Sequence, residues 1–201
     1  MKPPVKNLRW AKYPLGDVTQ WFGENPELYS KNVIINGVPL KAHNGIDIVR
    51  PWGEHMFAVE NGKVTDVKTD AGGYGKHVRF RSTDGKRQWT YGHCSNIFVT
   101  EGQLVKEGQF LAQMGNTGFV VSGNTPYWEV NPYAGTHVHF GLRLYKDGKV
   151  QNYDNGYFGA IDPLPYFLDP TLKSTKVLKL ASQRQDKTLW QFGELLKQIG
   201  L

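Results

Sequence analysis

Polar and apolar positions alternate over short stretches of this chain instead of recurring every three or four residues. Val78-Arg79-Phe80-Arg81 and Phe140-Gly141-Leu142-Arg143-Leu144 are two such runs. A period of two sends apolar side chains to one face of a strand and polar ones to the other. Further runs of β-type residues cover 56–60, 63–67, 77–81, 88–91, 110–114 and 138–145. Between them stand turn signals: Asn36-Gly37, Asn61-Gly62, Gly72-Gly73, Asp84-Gly85, residues 116–118 and Asp147-Gly148. The pattern predicts an antiparallel β protein whose strands keep one wet face. Residues 17–26 read as a leading strand followed by a glycine turn. Residues 101–111 read as two short strands about a glycine turn, a β-sandwich corner of the sort found in biotin and lipoyl carrier domains. The corner lacks their modifiable lysine tip, which argues against a carrier role.

Helical spacing appears only near the end, where Leu189, Phe192, Gly193, Leu196 and Ile199 follow Asp186 as an N-cap. The expected architecture is mainly β, an antiparallel sheet or sandwich carrying a groove, plus a short C-terminal helix that packs on its own domain. Residues 1–12 read as an N-terminal extension, 13–168 as the domain, and 169–201 as a linker and amphipathic helix.

Composition narrows the class. Of the 201 residues 39% are hydrophobic and 13% aromatic, enough to bury a core and too many for a disordered chain. No apolar run approaches the eighteen or so residues of a membrane span. The start, Met1-Lys2-Pro3-Pro4-Val5-Lys6, has no apolar core of a signal peptide, so secretion is expected to need another route. Cys94 is the single cysteine, which excludes an intramolecular disulfide and paired-thiol redox chemistry. A net charge of +6 favours a polyanionic partner, but the basic residues are scattered, so they read as a solvated surface and nucleic acid is not expected.

Two segments carry the chemistry: His43-Asn44-Gly45-Ile46-Asp47 and His137-Val138-His139. In extended chain His137 and His139 point the same way, and His43 and Asp47, four apart, can share a side. Four zinc-competent groups thus converge. A catalytic zinc takes three protein ligands from His, Asp or Glu and leaves a position for water. No His-Glu-x-x-His helix is present, so a glutamate-base mechanism is not the model.

The order His43-x3-Asp47, Tyr91-Gly92-His93, His137-x-His139 resembles the LytM/lysostaphin-type zinc metallopeptidases, enzymes that cut peptide bonds in bacterial peptidoglycan. Segments 18–23, 43–48, 58–64, 73–78, 105–109, 115–118 and 136–140 resemble family blocks in the family's order. The likeness covers residues 13–168 and is specific as an ordered set. It implies a lysostaphin-like fold, Zn2+ as cofactor with His43, Asp47 and His139 as its ligands, and His93 and His137 as catalytic residues beside the reacting water. The base and oxyanion-donor roles fall to those two imidazoles in either order. The implied substrate is a peptidoglycan stem peptide or cross-bridge, and the implied place of action is the cell wall. A phage-delivered lysin suits a chain without a signal peptide, and the C-terminal helix then offers a handle for self-association or a virion partner.

Other residues receive plainer readings. His55 and His77 are structural or surface histidines, and Cys94 is a buried bystander facing away from His93. Tyr74 has the strongest claim among aromatics to line the substrate groove, with Trp128 and Glu129 further candidates in a loop, 119–135, longer than the family's. Trp52, Tyr127 and Tyr133 are further aromatic candidates. Thr136 stands where proline is common in the family. Two rivals remain: a catalytically silent member of the fold acting as a binding or regulatory module, and a zinc D-Ala-D-Ala carboxypeptidase. The silent member is opposed by the presence of all five polar positions. The carboxypeptidase has six residues between its first His and Asp where this chain has three.

Overall fold

The computed structural model describes residues 1–71, 73–122, 125–126, 129 and 131–168. In chain order these form β1 (Val18–Gln20), α1 (Pro26–Asn32), β2 (Ile34–Ile35), β3 (Val38–Pro39), β4 (Ile46–Ile48), β5 (His55–Phe57), β6 (Gly62–Asp70), β7 (Gly75–Ser82) and β8 (Arg87–Tyr91). There follow β9 (Cys94–Ile97), β10 (Leu104–Val105), β11 (Phe110–Met114), β12 (Val121–Ser122), β13 (Thr125–Pro126), β14 (Val138–Lys146), β15 (Lys149–Val150), β16 (Ala160–Ile161) and a 3-10 turn, Leu164–Tyr166. The main sheet runs β1-β4-β14-β8-β7-β6-β10, with β15 and β16 also on β14, and every pairing is antiparallel.

The alternation seen in the sequence sets the two faces of this sheet. Register pairs Phe140 with Ile46 and Tyr91, Leu142 with Trp89, and Phe80 with Trp89, so one face is continuously apolar. All six side chains are buried, and Trp89 stacks on Phe140 at 5.2 Å between ring centroids. Burying each such side chain is worth roughly 1.5–3 kcal/mol, so this face holds the sheet in register. A second sheet, β5-β11-β9, closes over it and adds Met56, Leu111, Ala112, Met114 and Cys94 to the same core. The opposite face of β14, β8 and β7 carries His139, Gly141 and Arg143, then Gln88 and Thr90, then Arg79 and Arg81.

The corner at 101–111 joins the two sheets. Its strands do not pair with each other: β10 adds to β6 and β11 adds to β5 and β9, while Gly108 turns the chain between them at φ +80. Val105 and Leu111 both enter the common core, which is why the chain crosses over there. The Asn36-Gly37 turn closes the β2-β3 hairpin with both residues at positive φ. Helix α1 was not anticipated. Only Tyr29 is even half-buried, so the helix leaves no apolar periodicity; its sequence signals are Pro26 in the first turn and Glu27.

Residues before β1 also join the core: Val5 is fully buried, and Trp10 packs on Phe167 at 5.1 Å. The linker and amphipathic helix expected for 169–201 lie outside the described residues. Among the described residues no helix is long and apolar enough to cross a membrane.

Candidate metal centre

Register in the main sheet builds the centre. Asp47 of β4 pairs with His139 of β14, so both side chains leave the same face, away from the core. His43 lies on the approach to β4, where its backbone exchanges hydrogen bonds with the chain at Gly23 and Glu24: Gly23 N–H donates to His43 and His43 N–H donates to Glu24. Its Nδ1–H donates to the Trp21 carbonyl at 3.0 Å, which leaves Nε2 with a lone pair aimed at the centre.

Three donor atoms then face one another. His43 Nε2 lies 3.0 Å from His139 Nδ1 and 3.1 Å from Asp47 Oδ1, and His139 Nδ1 lies 3.2 Å from the same carboxylate oxygen. Donors on a tetrahedral zinc with bonds near 2.0 Å stand about 3.3 Å apart, so this triangle has the right edge for one such ion. All three residues are buried, and a cation is the species that resolves a dry cluster of lone pairs. Gly45 allows the approach: a Cβ there would stand 2.5 Å from His139 Nε2 and 2.9 Å from the Phe140 carbonyl.

The electrostatics follow from burial. Desolvation alone would raise the Asp47 carboxyl, but the charges of His43 and His137 and hydrogen bonds from His139 and His43 outweigh it and hold the group well below its usual range. Burial pushes His139 down to about 4, aided by the like charge of His43 and opposed by the Asp47 hydrogen bond. Burial likewise drops His93 well below 6.5, with His137 and His139 adding to the shift. His93 is therefore neutral near pH 7.

His93 and His137 stand beside the triangle, with ring centroids 4.6 Å apart. His93 has φ +61, a left-handed turn that ends β8 and breaks the strand alternation. Its N–H donates to the Tyr74 carbonyl at 2.7 Å and its Nδ1–H to the Thr117 carbonyl at 2.7 Å. His137 Nδ1–H donates to the Gly135 carbonyl at 2.7 Å, and its Nε2 lies 3.8 Å from Asp47 Oδ2. Each imidazole thus leaves Nε2 as the atom free to take up a proton. The far end of the 119–135 loop is pinned near this site: Asn116 donates to the Pro132 and Ala134 carbonyls, and Thr136 Oγ1 to the Tyr133 carbonyl.

Of the groove candidates, Tyr74 is at the centre's edge, with its ring 5.0 Å from His139. Glu129 is exposed, and no described hydrogen bond or ion pair joins it to the cluster. Trp128 lies outside the described residues. Trp52 and Tyr133 contact each other, at 5.3 Å between centroids. His55 lies tilted against Phe110, and His77 is buried with Nδ1–H donating to the Gly75 carbonyl. Cys94 is buried in the core, which pushes its thiol up to about 12. Two residues near the centre escaped the sequence reading. Tyr29 of α1 stacks over His43 at 5.4 Å and donates its hydroxyl to Gln20; burial and the Asp47 charge raise its pKa. Asn44 donates to the Tyr74 hydroxyl at 3.1 Å. The Asn25-Pro26 helix start is a signal for α1, but nothing local in the sequence reports the Tyr29 stack.

The model of peptidase family M23 matches residues 41–153, more than half of the chain. The chain belongs to that family. It is 26% identical over 148 residues to lysostaphin of Staphylococcus simulans, covering 73% of this chain and 26% of that one. It is 32% identical over 136 residues to the murein hydrolase activator NlpD of Escherichia coli K12, covering 68% of this chain and 31% of NlpD. The catalytic domain of lysostaphin shares the fold, with a TM-score of 0.54 at 23% identity over 74% of this chain and 90% of that domain. The chain spans 18 to 26% of the length of the first curated relatives it matches.

Proposed function

We propose that this chain is a zinc metalloendopeptidase that hydrolyses peptide bonds in the stem peptides or cross-bridges of bacterial peptidoglycan, acting at the cell wall. The observation that carries the reading is the convergence of His43, Asp47 and His139 donor atoms within 3.2 Å of one another, with His93 and His137 alongside. In this reading His43, Asp47 and His139 hold the metal. Zinc bound there supplies a Lewis acid that brings the pKa of water toward neutrality and polarises the scissile carbonyl.

The chain's own groups manage the protons. Burial keeps His93 neutral, so its Nε2 accepts a proton from the attacking water. The Nδ1–H bond to Thr117 holds that tautomer through the transfer. His137, similarly tied to Gly135 through Nδ1–H, presents Nε2, which donates to the oxyanion when it carries a second proton, and the proton on His93 then passes to the leaving amine. Tyr74 and Tyr29 flank the two histidine ligands and restrict water around them.

A second reading, a silent regulator of other wall hydrolases, draws support from the likeness to NlpD. Metal content by mass spectrometry, on protein purified without added metal, combined with turbidity loss of purified peptidoglycan, separates the two. One zinc per chain, with lysis by the wild type and none by His137→Ala, supports the peptidase. Zinc without lysis of any wall type favours the regulator. Failure to take up zinc on reconstitution overturns the metal assignment.

A further inference from the structure

The sheet face that carries His139 continues away from the metal centre as a row of arginines. Cross-strand register places Gly141, Thr90 and Arg79 side by side, and Arg143, Gln88 and Arg81 in the next row. Partners directly opposite share a face, so Arg79, Arg81 and Arg143 project from the floor on which His139 stands. All three are only half-buried, while Thr90 and Gln88 beneath them are buried.

Two of these guanidinium groups are held by aromatic rings. Arg79 lies over Tyr74 at 5.5 Å, and the same ring touches His139 at 5.0 Å. Arg81 lies over Tyr145 at 3.7 Å, and the Tyr145 hydroxyl donates to Gln88 at 3.2 Å. The Nε atoms of Arg79 and Arg81 are enclosed yet have no hydrogen-bond partner. Among the described residues none of the three arginines forms an ion pair. Asp66 faces Arg79 across β6 and β7 and feels its charge, but its hydrogen-bonded ion pair is with Lys68 at 2.8 Å. Arg81 and Arg143 have no carboxylate opposite them in the register, so the floor beside the centre carries more guanidinium than carboxylate charge, and two of its guanidiniums are stacked and pre-oriented. Stacking on a ring leaves the planar fork free for a carboxylate, which is the recognition arginine performs best.

We propose that Arg79, with Arg81 behind it, forms a subsite for a carboxylate of the peptide substrate, and that the preferred substrate is an acidic stem peptide in place of an uncharged glycine bridge. Tyr74 separates the guanidinium from His139, a span of about three residues of extended peptide at roughly 3.3 Å each. The carboxylate therefore belongs to a residue two or three positions from the scissile bond. A glycine bridge offers no charge there and leaves Arg79 unpaired. The inference rests on the peptidase reading for its substrate, but its binding prediction stands apart from catalysis.

The test uses two synthetic peptides, L-Ala-γ-D-Glu-L-Lys-D-Ala and the same peptide with the glutamyl α-carboxylate as carboxamide. Each is titrated calorimetrically into the full chain, with and without zinc, and any hydrolysis is followed in parallel. The acid is expected to bind about tenfold tighter than the amide. Arg79→Gln is expected to abolish that preference and leave amide binding and zinc content unchanged. Arg79→Lys keeps the charge, loses the fork, and is expected to retain part of the preference; it also guards against misfolding of the glutamine variant. Any hydrolysis should show the effect in KM, with kcat little altered. Equal binding of acid and amide by the wild type, or an intact preference in Arg79→Gln, overturns the subsite. A preference lost in Arg79→Gln without any hydrolysis upholds the subsite and counts against the peptidase reading alone.

Discussion

At the residue scale, the five polar positions differ in what their loss should do. His139→Ala removes a donor from the triangle and is expected to lose metal and activity together. His93→Ala leaves the triangle whole, so metal is kept while activity falls by about 10²–10⁴. Metal analysis and hydrolysis rate on the two variants check this split; metal loss in His93→Ala would place that imidazole among the ligands. Gly45→Ala is a third case. Its Cβ would stand 2.5 Å from His139 Nε2 and against the Phe140 backbone, which cannot yield. A destabilisation of about 1–3 kcal/mol and weakened metal binding are expected, read by thermal melting and metal titration. The residue types at these positions were legible in the sequence, because donors at those spacings suit few other purposes. That Gly45 makes room for His139, 94 positions later in numbering, was not, since the contact depends on the β4-β14 register.

At the element scale, the strand runs were legible because alternation is a local property with a direct physical cause. β8, β7, β11 and β14 lie within a residue or two of the runs in the sequence. Helix α1 was illegible because it fully buries no residue, and the partners of β10 and β11 were illegible because adjacency in sequence does not dictate adjacency in a sheet. The edge of β8 also depends on a contact with no local signature. Glu60 accepts from Trp89 Nε1 at 2.5 Å and takes the Arg87 fork at 2.8 and 2.9 Å. Glu60→Ala strands both donors and is expected to cost about 2 kcal/mol, lowering the melting midpoint by about 4–8 °C. Glu60→Gln, which keeps an acceptor for Trp89, should lose less. Equal melting of all three proteins would show that the network adds nothing to β8.

At the scale of the whole molecule, burial of neutral imidazoles makes the metal-free protein acid-sensitive. His139 falls to about 4 in the folded chain and His93 well below its ordinary value, against about 6.5 when unfolded. Between those values the unfolded chain binds more protons, so stability is complete above about pH 6.5 and declines as the pH falls toward 4. The depressed Asp47 carboxyl extends the decline to lower pH. Melting midpoints of the metal-free chain across this range should fall with pH; a flat profile would mean the imidazoles do not remain buried and neutral. Zinc should raise the midpoint near neutrality, and by less in acid, because its ligands must be deprotonated.

By itself the sequence determined the β class, the candidate donor set and the family resemblance, because alternation, turn chemistry and ligand spacing are written in neighbouring residues. Tertiary structure alone decided which strands pair, and with them everything that long-range register controls. It set the 3.0–3.2 Å donor triangle, the left-handed turn that delivers His93, and the placing of Tyr29 over His43. It also set the arginine floor beyond Tyr74. Such contacts join residues far apart in the chain, and their geometry arises only once the apolar face of the sheet has locked its register.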